Sequence, residues 1–328
     1  MSQIASVVER ARKAFTSVSQ LEAALARAPT DRALQLNLAA MKRMAEQSQE
    51  QLIDYSRNAY IDVCNYRLLP EETHNVSGYG LQYVSKSLLE YQNLFTQIYD
   101  SIKNGAKERA IFGRESQEES ALELAYTYSG SLGIVLFSHG DRDLISGKLD
   151  SSIDALYDVI DINTRTTVRD IASRFGSAVV KRVYDWSEAN LKGGFSADVR
   201  WNRSDGRELG EVIERRRMES IVATIDATDE TKIKEVEVTG ILFGGNIGTR
   251  SFHFVAPGGD IYRGHLADDF EISTEMTLGK FYKALIRDIE TFHFATEKME
   301  RRHILLTLEP ASTLPFEGDN RYDVDVHN

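Results

Sequence analysis

The chain has 328 residues, of which 42% are hydrophobic and 27% charged, with 22 glycines, 5 prolines and a formal charge of −11. This composition excludes disorder as the main state, and excludes collagen-like or low-complexity chains. No apolar run is long enough for a transmembrane helix, and a global polyanion is a poor default nucleic-acid binder because phosphate neutralisation needs Lys and Arg.

Residues 1–57 read as a helical hairpin. Ile4, Val8, Ala11, Phe15, Val18, Leu21 and Leu25 recur at spacings of three and four. In the second half Leu34, Leu38, Met41, Ala45, Ser48 and Leu52 form a heptad seam with one polar position. Pro29 breaks the first helix, and Thr30 is the expected N-cap of the second, with Asp31 in its first turn. The segment carries eight Lys or Arg against six Asp or Glu, so it is not a basic arm. A narrow seam on a two-helix hairpin buries little, which makes Leu34, Leu38, Met41, Ala45 and Leu52 candidate oligomerisation residues.

Residues 58–230 read as an α+β domain. Tyr60–Leu68 is rich in aromatic and β-branched residues and predicts a strand, and Leu81–Ile102 predicts a helix. A polar loop is expected over 104–120. Leu122 to Leu136, broken by Ser129-Gly130-Ser131, predicts a hairpin. Two or three helices follow, with stripes Ile153–Ile160 and Val168–Trp186, a capping box at Thr167 and Asp170, and a stop at Gly193-Gly194. Phe195–Trp201 predicts a strand and Arg207–Val222 a helix.

After a polar link at 226–231 the pattern changes to period two. Strands are expected at Val236–Leu242, Phe252–Phe254, Ile261–Gly264, Phe281–Phe294 and Ile304–Leu308, with an irregular connection over His265–Leu278. Three strands, a connection and two strands is the order of an OB-type barrel, with an SH3-like barrel as competitor, over 231–309. Residues 310–328 read as an acidic tail. The whole is thus α+β, with a helical hairpin, a central α+β domain and a small C-terminal barrel.

The chemistry-bearing residues form no recognisable constellation. None of the seven histidines pairs at metal-ligand spacing, and the single cysteine, Cys64, lies in a predicted strand, where it reads as core. Ser138-His139-Gly140-Asp141 reads as a polar loop, since triads are assembled from separated positions. The glycines of Gly240–Gly248 suit a hairpin turn and match neither a P-loop nor a dinucleotide fingerprint. Asp150, Asp154 and Asp158 share one helix face and read as solvated. Basic residues concentrate at Arg215–Arg217, expected in the second half of a helix, and in the barrel. There Arg250, His253, Tyr262, Arg263, Arg301 and Arg302 are candidate nucleic-acid contacts, while Phe252 and Phe254 share a face and read as core. No cofactor and no metal is implied. One cysteine and a start, Met1–Lys13, without the apolar core of a signal peptide point to a reducing, cytoplasmic compartment.

The segments Cys64–Leu68, Tyr126–Gly133 and Phe195–Trp201, together with Val238–Leu242, Thr249–Phe254 and Tyr262–Leu266, resemble uncharacterised bacterial proteins. The resemblance implies an α+β body followed by a small β-barrel in a bacterial cytoplasmic protein, with an association to defence gene sets, and carries no reaction. Three functional expectations follow. The first is a non-enzymatic, homo-oligomeric interaction protein with a protein partner. The second is a nucleic-acid-binding accessory factor using the barrel. The third is an enzyme with a site among Tyr66, Arg67, Tyr126, Tyr128, Asp198, Arg200 and Trp201.

Overall fold

A computed structural model describes residues 3–70, 80–128, 132–139, 147–270 and 276–311. The chain divides into two compact units, Met1–Thr228 with Phe294–Glu297, and Asp229–His293 with Lys298–Asn328.

The first unit begins with the hairpin α1 (Gln3–Arg27) and α2 (Arg32–Asn58). The cap of α2 is Asp31 rather than Thr30. Its carboxylate accepts from the backbone N–H groups of Ala33 (2.9 Å) and Leu34 (3.1 Å), answering two of the unpaired donors of the first turn. The two halves of the hairpin differ in what they cover. Ala11 and Leu52 pack with Ile61, Val63, Val135 and Phe137 of a β-sheet. Ala14, Val18 and Ala45 form a separate cluster with Phe15, Leu38 and Met41 of the same two helices.

That sheet has the order β2-β3-β1-β4-β5, built from β1 (Ile61–Pro70), β2 (Glu123–Tyr128), β3 (Leu132–His139), β4 (Phe195–Asn202) and β5 (Glu208–Ile213). All four pairings are antiparallel. The strand β5 corrects the helix expected from Arg207. Helix α8 (Arg215–Asp226) starts only after it, so Arg215–Arg217 sit in its first turn, where the dipole opposes cations. Ion pairs offset this: Arg217 bonds Glu211 and Asp161, and Arg215 bonds Glu219.

The opposite face of the sheet is covered by helices, chiefly α3 (Leu81–Asn104) and α7 (Ser177–Gly193), with α5 (Lys148–Ile160) and α6 (Arg165–Phe175) packed on these. A short helix, α4 (Arg114–Glu119), interrupts the loop expected at 104–120. The N-cap of α6 is Thr164, which accepts from Thr167 N, so the expected capping box begins three residues too late. Gly194, at φ 70°, ends α7 as expected; that left-handed conformation favours glycine.

Four large side chains of this core, Tyr66, Tyr91, Trp186 and Trp201, carry polar tips that are paired. Trp201 Nε1 donates to Tyr91 Oη (2.9 Å), which lies 3.4 Å from Cys64 Sγ. Trp186 Nε1 donates to Tyr66 Oη (3.0 Å), Ser87 Oγ lies 2.8 Å from that hydroxyl and donates to Asn190 Oδ1 (2.8 Å), and Asn190 Nδ2 returns to the Trp186 carbonyl (2.9 Å). Burial without a lost hydrogen bond is the condition for keeping such groups in a core. Burial also pushes the Cys64 thiol up to about 12, which makes it an inert core residue.

In the second unit β6 (Asp229–Asn246), β7 (Ser251–Val255), β8 (Ile261–Leu266), β9 (Phe281–His293) and β10 (Lys298–Pro310) form a closed ring. Neighbours β6-β7, β7-β8, β6-β9 and β9-β10 are antiparallel, and β8-β10 is parallel. The long strand β6 absorbs Asp229–Thr231, expected to be link. Leu242, Phe252, Phe254, Leu266, Tyr282, Ile286 and Leu305 fill the interior, so the two phenylalanines are core. The architecture is therefore mixed α+β, with a helical hairpin and two five-stranded sheets. The hairpin turn at 129–131, Gly140-Asp141, His74 and the acidic tail from 312 lie outside the described residues.

Candidate functional site

On the outside of the second unit, strand pairing sets a row across three strands: Gly244 lies opposite His253, and His253 opposite Arg263. Phe243 occupies the bulge between Leu242 and Gly244, is 56% exposed, and lies 5.9 Å from the His253 ring. Ile247 at the adjoining turn is also exposed. Sequence reading missed Phe243 because an uninterrupted alternation hides a bulge; the adjacent Gly244-Gly245 was the available signal.

Of the six residues expected to contact nucleic acid, His253 and Arg263 lie together on this face. The others are engaged elsewhere. Arg250 adopts φ 50° in the turn before β7, and its guanidinium donates to the Ala267 carbonyl. Tyr262 packs against the barrel core, with its ring 5.2 Å from that of His303. Arg301 makes a bidentate pair with Asp288 (2.8 and 2.5 Å), and Arg302 pairs with Glu300 (3.1 Å). A guanidinium already matched by a carboxylate of its own chain offers little net charge to a phosphate.

The Asp288 pair has a pH consequence. The Arg301 guanidinium holds the Asp288 carboxyl below the usual range, against the opposing effect of burial. A depressed folded-state value stabilises above the unfolded value of about 3.9 and loses that stabilisation as pH falls through the folded one. Replacing Arg301 with Met is expected to remove about 1 kcal/mol at neutral pH, a discounted figure because Arg301 is 55% exposed. Urea midpoints of the variant should also depend less steeply on pH below about 4 than those of the parent.

In the first unit the expected oligomerisation seam faces inward. Leu38, Met41 and Ala45 pack against α1, and Leu52 against α1 and the sheet; Leu34 is half-buried. A different stripe of α2 points to solvent. Ala33, Leu36, Ala40 and Met44 recur at three and four, with Leu36 66% and Met44 53% exposed. It lies about a third of the way round the helix from the seam.

The seven polar and aromatic positions considered for catalysis are split by the sheet. Tyr66 and Trp201 belong to the helix-covered core. Tyr126 is buried beneath the hairpin. Arg67, Tyr128, Asp198 and Arg200 share the hairpin side, where Arg67 and Arg200 both reach Asp198. Asp150 and Asp154 are more than a solvated face, because both grip the buried Arg203. A groove of about 230 Å³ beside β2 is lined mainly by Leu88, Leu89, Leu122, Leu124, Ile134 and Leu136. It falls below the usual ligand-pocket size of roughly 300–1,000 Å³ and lacks converging charged groups.

Among the described residues no group of three His, Cys, Asp or Glu side chains could hold a metal ion, and no helix is long and apolar enough to cross a membrane. No family model, no curated protein and no solved structure matches this chain.

Proposed function

We propose that this chain is a homo-oligomeric interaction protein. Its helical arm pairs with a second copy, and its barrel presents an apolar face to a protein partner. The observation that carries the reading is the outward stripe Ala33, Leu36, Ala40 and Met44 on a half-arm whose own apolar cluster has three small buried residues, Ala14, Val18 and Ala45. Two helices with so little between them gain by completing a four-helix arrangement. A two-fold axis would set the stripe against itself. Each fully covered Leu or Met side chain would contribute about 1.5–3 kcal/mol.

The barrel supports the second half of the reading. Its ring order and parallel β8-β10 pairing favour the OB-type arrangement over the SH3-like one. Its β6-β7-β8 side offers Phe243, Ile247, His253 and Arg263, while Arg301 and Arg302 are neutralised at home. That mixture suits a protein surface with an aromatic anchor better than a phosphate backbone.

Removing residues 1–57 would strip the cover from Ile61, Val63 and Phe137, so point substitutions are the cleaner test. Light scattering on the full chain is expected to give a multiple of 37.0 kDa. The double variant Leu36→Glu, Met44→Glu is expected to give the monomer mass with unchanged circular dichroism. A monomeric parent, or a variant that keeps the higher mass, would overturn the arm-pairing reading.

A further inference from the structure

We propose that the outside of the ring in the second unit is a docking surface for the chain's own segment 312–328, which lays Leu314 and Phe316 across an apolar row on β9, β6, β7 and β8. This docking depends neither on the pairing of arms nor on a protein partner.

The row is fixed by strand register. Ile261 lies opposite Val255, Val255 opposite Ile241, and Ile241 opposite Phe281. Leu242, Phe254 and Tyr282, the next residues along three of these strands, belong to the interior. Alternation therefore turns Ile241, Val255 and Phe281 outward. Ile261 is itself 53% exposed. Outward positions of a sheet with one solvated face are ordinarily polar. Four apolar ones in line on adjacent strands make a patch of the kind that marks a contact surface. Two exposed side chains widen it at the same end of the ring. Phe243 follows Leu242, and Leu278 precedes Gly279, whose backbone N–H bonds the Leu242 carbonyl (2.8 Å).

The chain itself leads to this row. Pro310, at the end of β10, pairs with Tyr282, and the Ala311 N–H bonds the Phe281 carbonyl (3.1 Å). The segment that follows thus sets out one strand away from Phe281. It begins Ser312-Thr313-Leu314-Pro315-Phe316, with large apolar residues three and five positions beyond Ala311. At about 3.3 Å per residue and roughly 4.8 Å between strands, Leu314 reaches the Ile241 position and Phe316 the Val255 position. Pro315 between them has no N–H to add to a ladder, which suits a course across a sheet face rather than beside a strand.

Charge agrees with this course. After Phe316 come Glu317, Asp319, Asp323 and Asp325 against Arg321. The borders of the row carry the exposed cations Arg263 and Lys280. Lys283, on the next row, is matched by Glu237 (2.9 Å), and Asp260 stands past Ile261, at the far end from Ala311. An apolar centre with a rim of opposite charge is the ordinary make-up of a docking surface.

The test compares methyl NMR spectra of the full chain and of the double variant Leu314→Ser, Phe316→Ser, which leaves the interior cluster of Leu242, Phe254 and Tyr282 untouched. The methyl signals of Ile241, Val255 and Ile261 are expected to shift between the two, through loss of the Phe316 ring, while those of Leu305 inside the ring stay in place. The shifts should not depend on protein concentration. They should also survive in the Leu36→Glu, Met44→Glu background, since one chain supplies both the surface and its cover. Identical row methyls in parent and variant would leave the row to another protein and overturn the proposal. Shifts that vanish on dilution would assign the cover to a second copy and overturn it as well.

Discussion

An Arg203→Met variant is expected to lose about 3 kcal/mol of unfolding free energy, the low end of what breaking a buried ion cluster costs. Arg203 is 4% exposed, and its guanidinium reaches Asp150 (2.8 Å), Asp154 (2.9 Å) and Asp205 (2.8 Å). Its backbone N–H bonds the Arg207 carbonyl (2.9 Å), closing the turn between β4 and β5, and the next N–H, of Ser204, bonds Asp62 (2.7 Å). Methionine fills comparable volume but leaves three carboxylates facing each other beside Asp62. Burial already raises the Asp62 carboxyl above its ordinary value. The low end applies because the three acids are roughly two-fifths exposed and stay hydrated. Urea unfolding at neutral pH measures the effect. Asp150→Asn, which leaves two partners in place, is expected to cost less than about 1 kcal/mol. A loss below 1 kcal/mol for Arg203→Met would show that the cluster is peripheral to stability.

The second large effect belongs to the barrel. In Gly264→Ala the added Cβ would lie 1.9 Å from the His303 carbonyl oxygen and 2.7 Å from its carbon. Both are backbone atoms, so no rotamer change relieves the clash. The β8-β10 seam joins only three residue pairs, His303 with Gly264, Ile304 with His265 and Leu305 with Leu266, whereas β6-β9 and β9-β10 run much further. The ring is therefore expected to open at this seam, at a cost of about 3 kcal/mol or more. Hydrogen exchange should show lost protection in β8 and β10 with the first unit unchanged. Gly244→Ala is the contrast, since its Cβ would meet His253 Cβ at an ordinary 3.5 Å.

Much of the architecture was legible in local sequence. The heptads of α2 and the stripe of α3 have the helical period, and the boundary near residue 230 is where that period changes to two. Errors fell where two local signals compete. Glu208–Ile213 reads as helix because Arg215–Arg217 and Met218 continue an acceptable helical pattern beyond it, yet pairing with β4 decides for strand. The caps at Asp31 and Thr164 were each displaced along the chain, because adjacent Thr, Asp and Asn residues offer several equivalent acceptors.

The sites were less legible, and for a different reason. Sequence can nominate Arg301 or Arg302 as a cation but cannot show Asp288 or Glu300 beside it. It can group Arg67 with Asp198 and Arg200 as polar strand residues, but only register places Arg67 opposite Asp198 and next to Arg200. By itself the sequence determined most of the element types, with β5 and α4 as exceptions, the buried place of Cys64 and the apolar content of the arm, all of which depend on residue type and short-range period. The tertiary structure decided which arm face meets solvent, which arginines of the barrel are already paired and which part of the sheet the hairpin covers. Those depend on which strands and helices come together, in contacts as distant in sequence as Arg67 with Asp198, and no local period encodes such pairings.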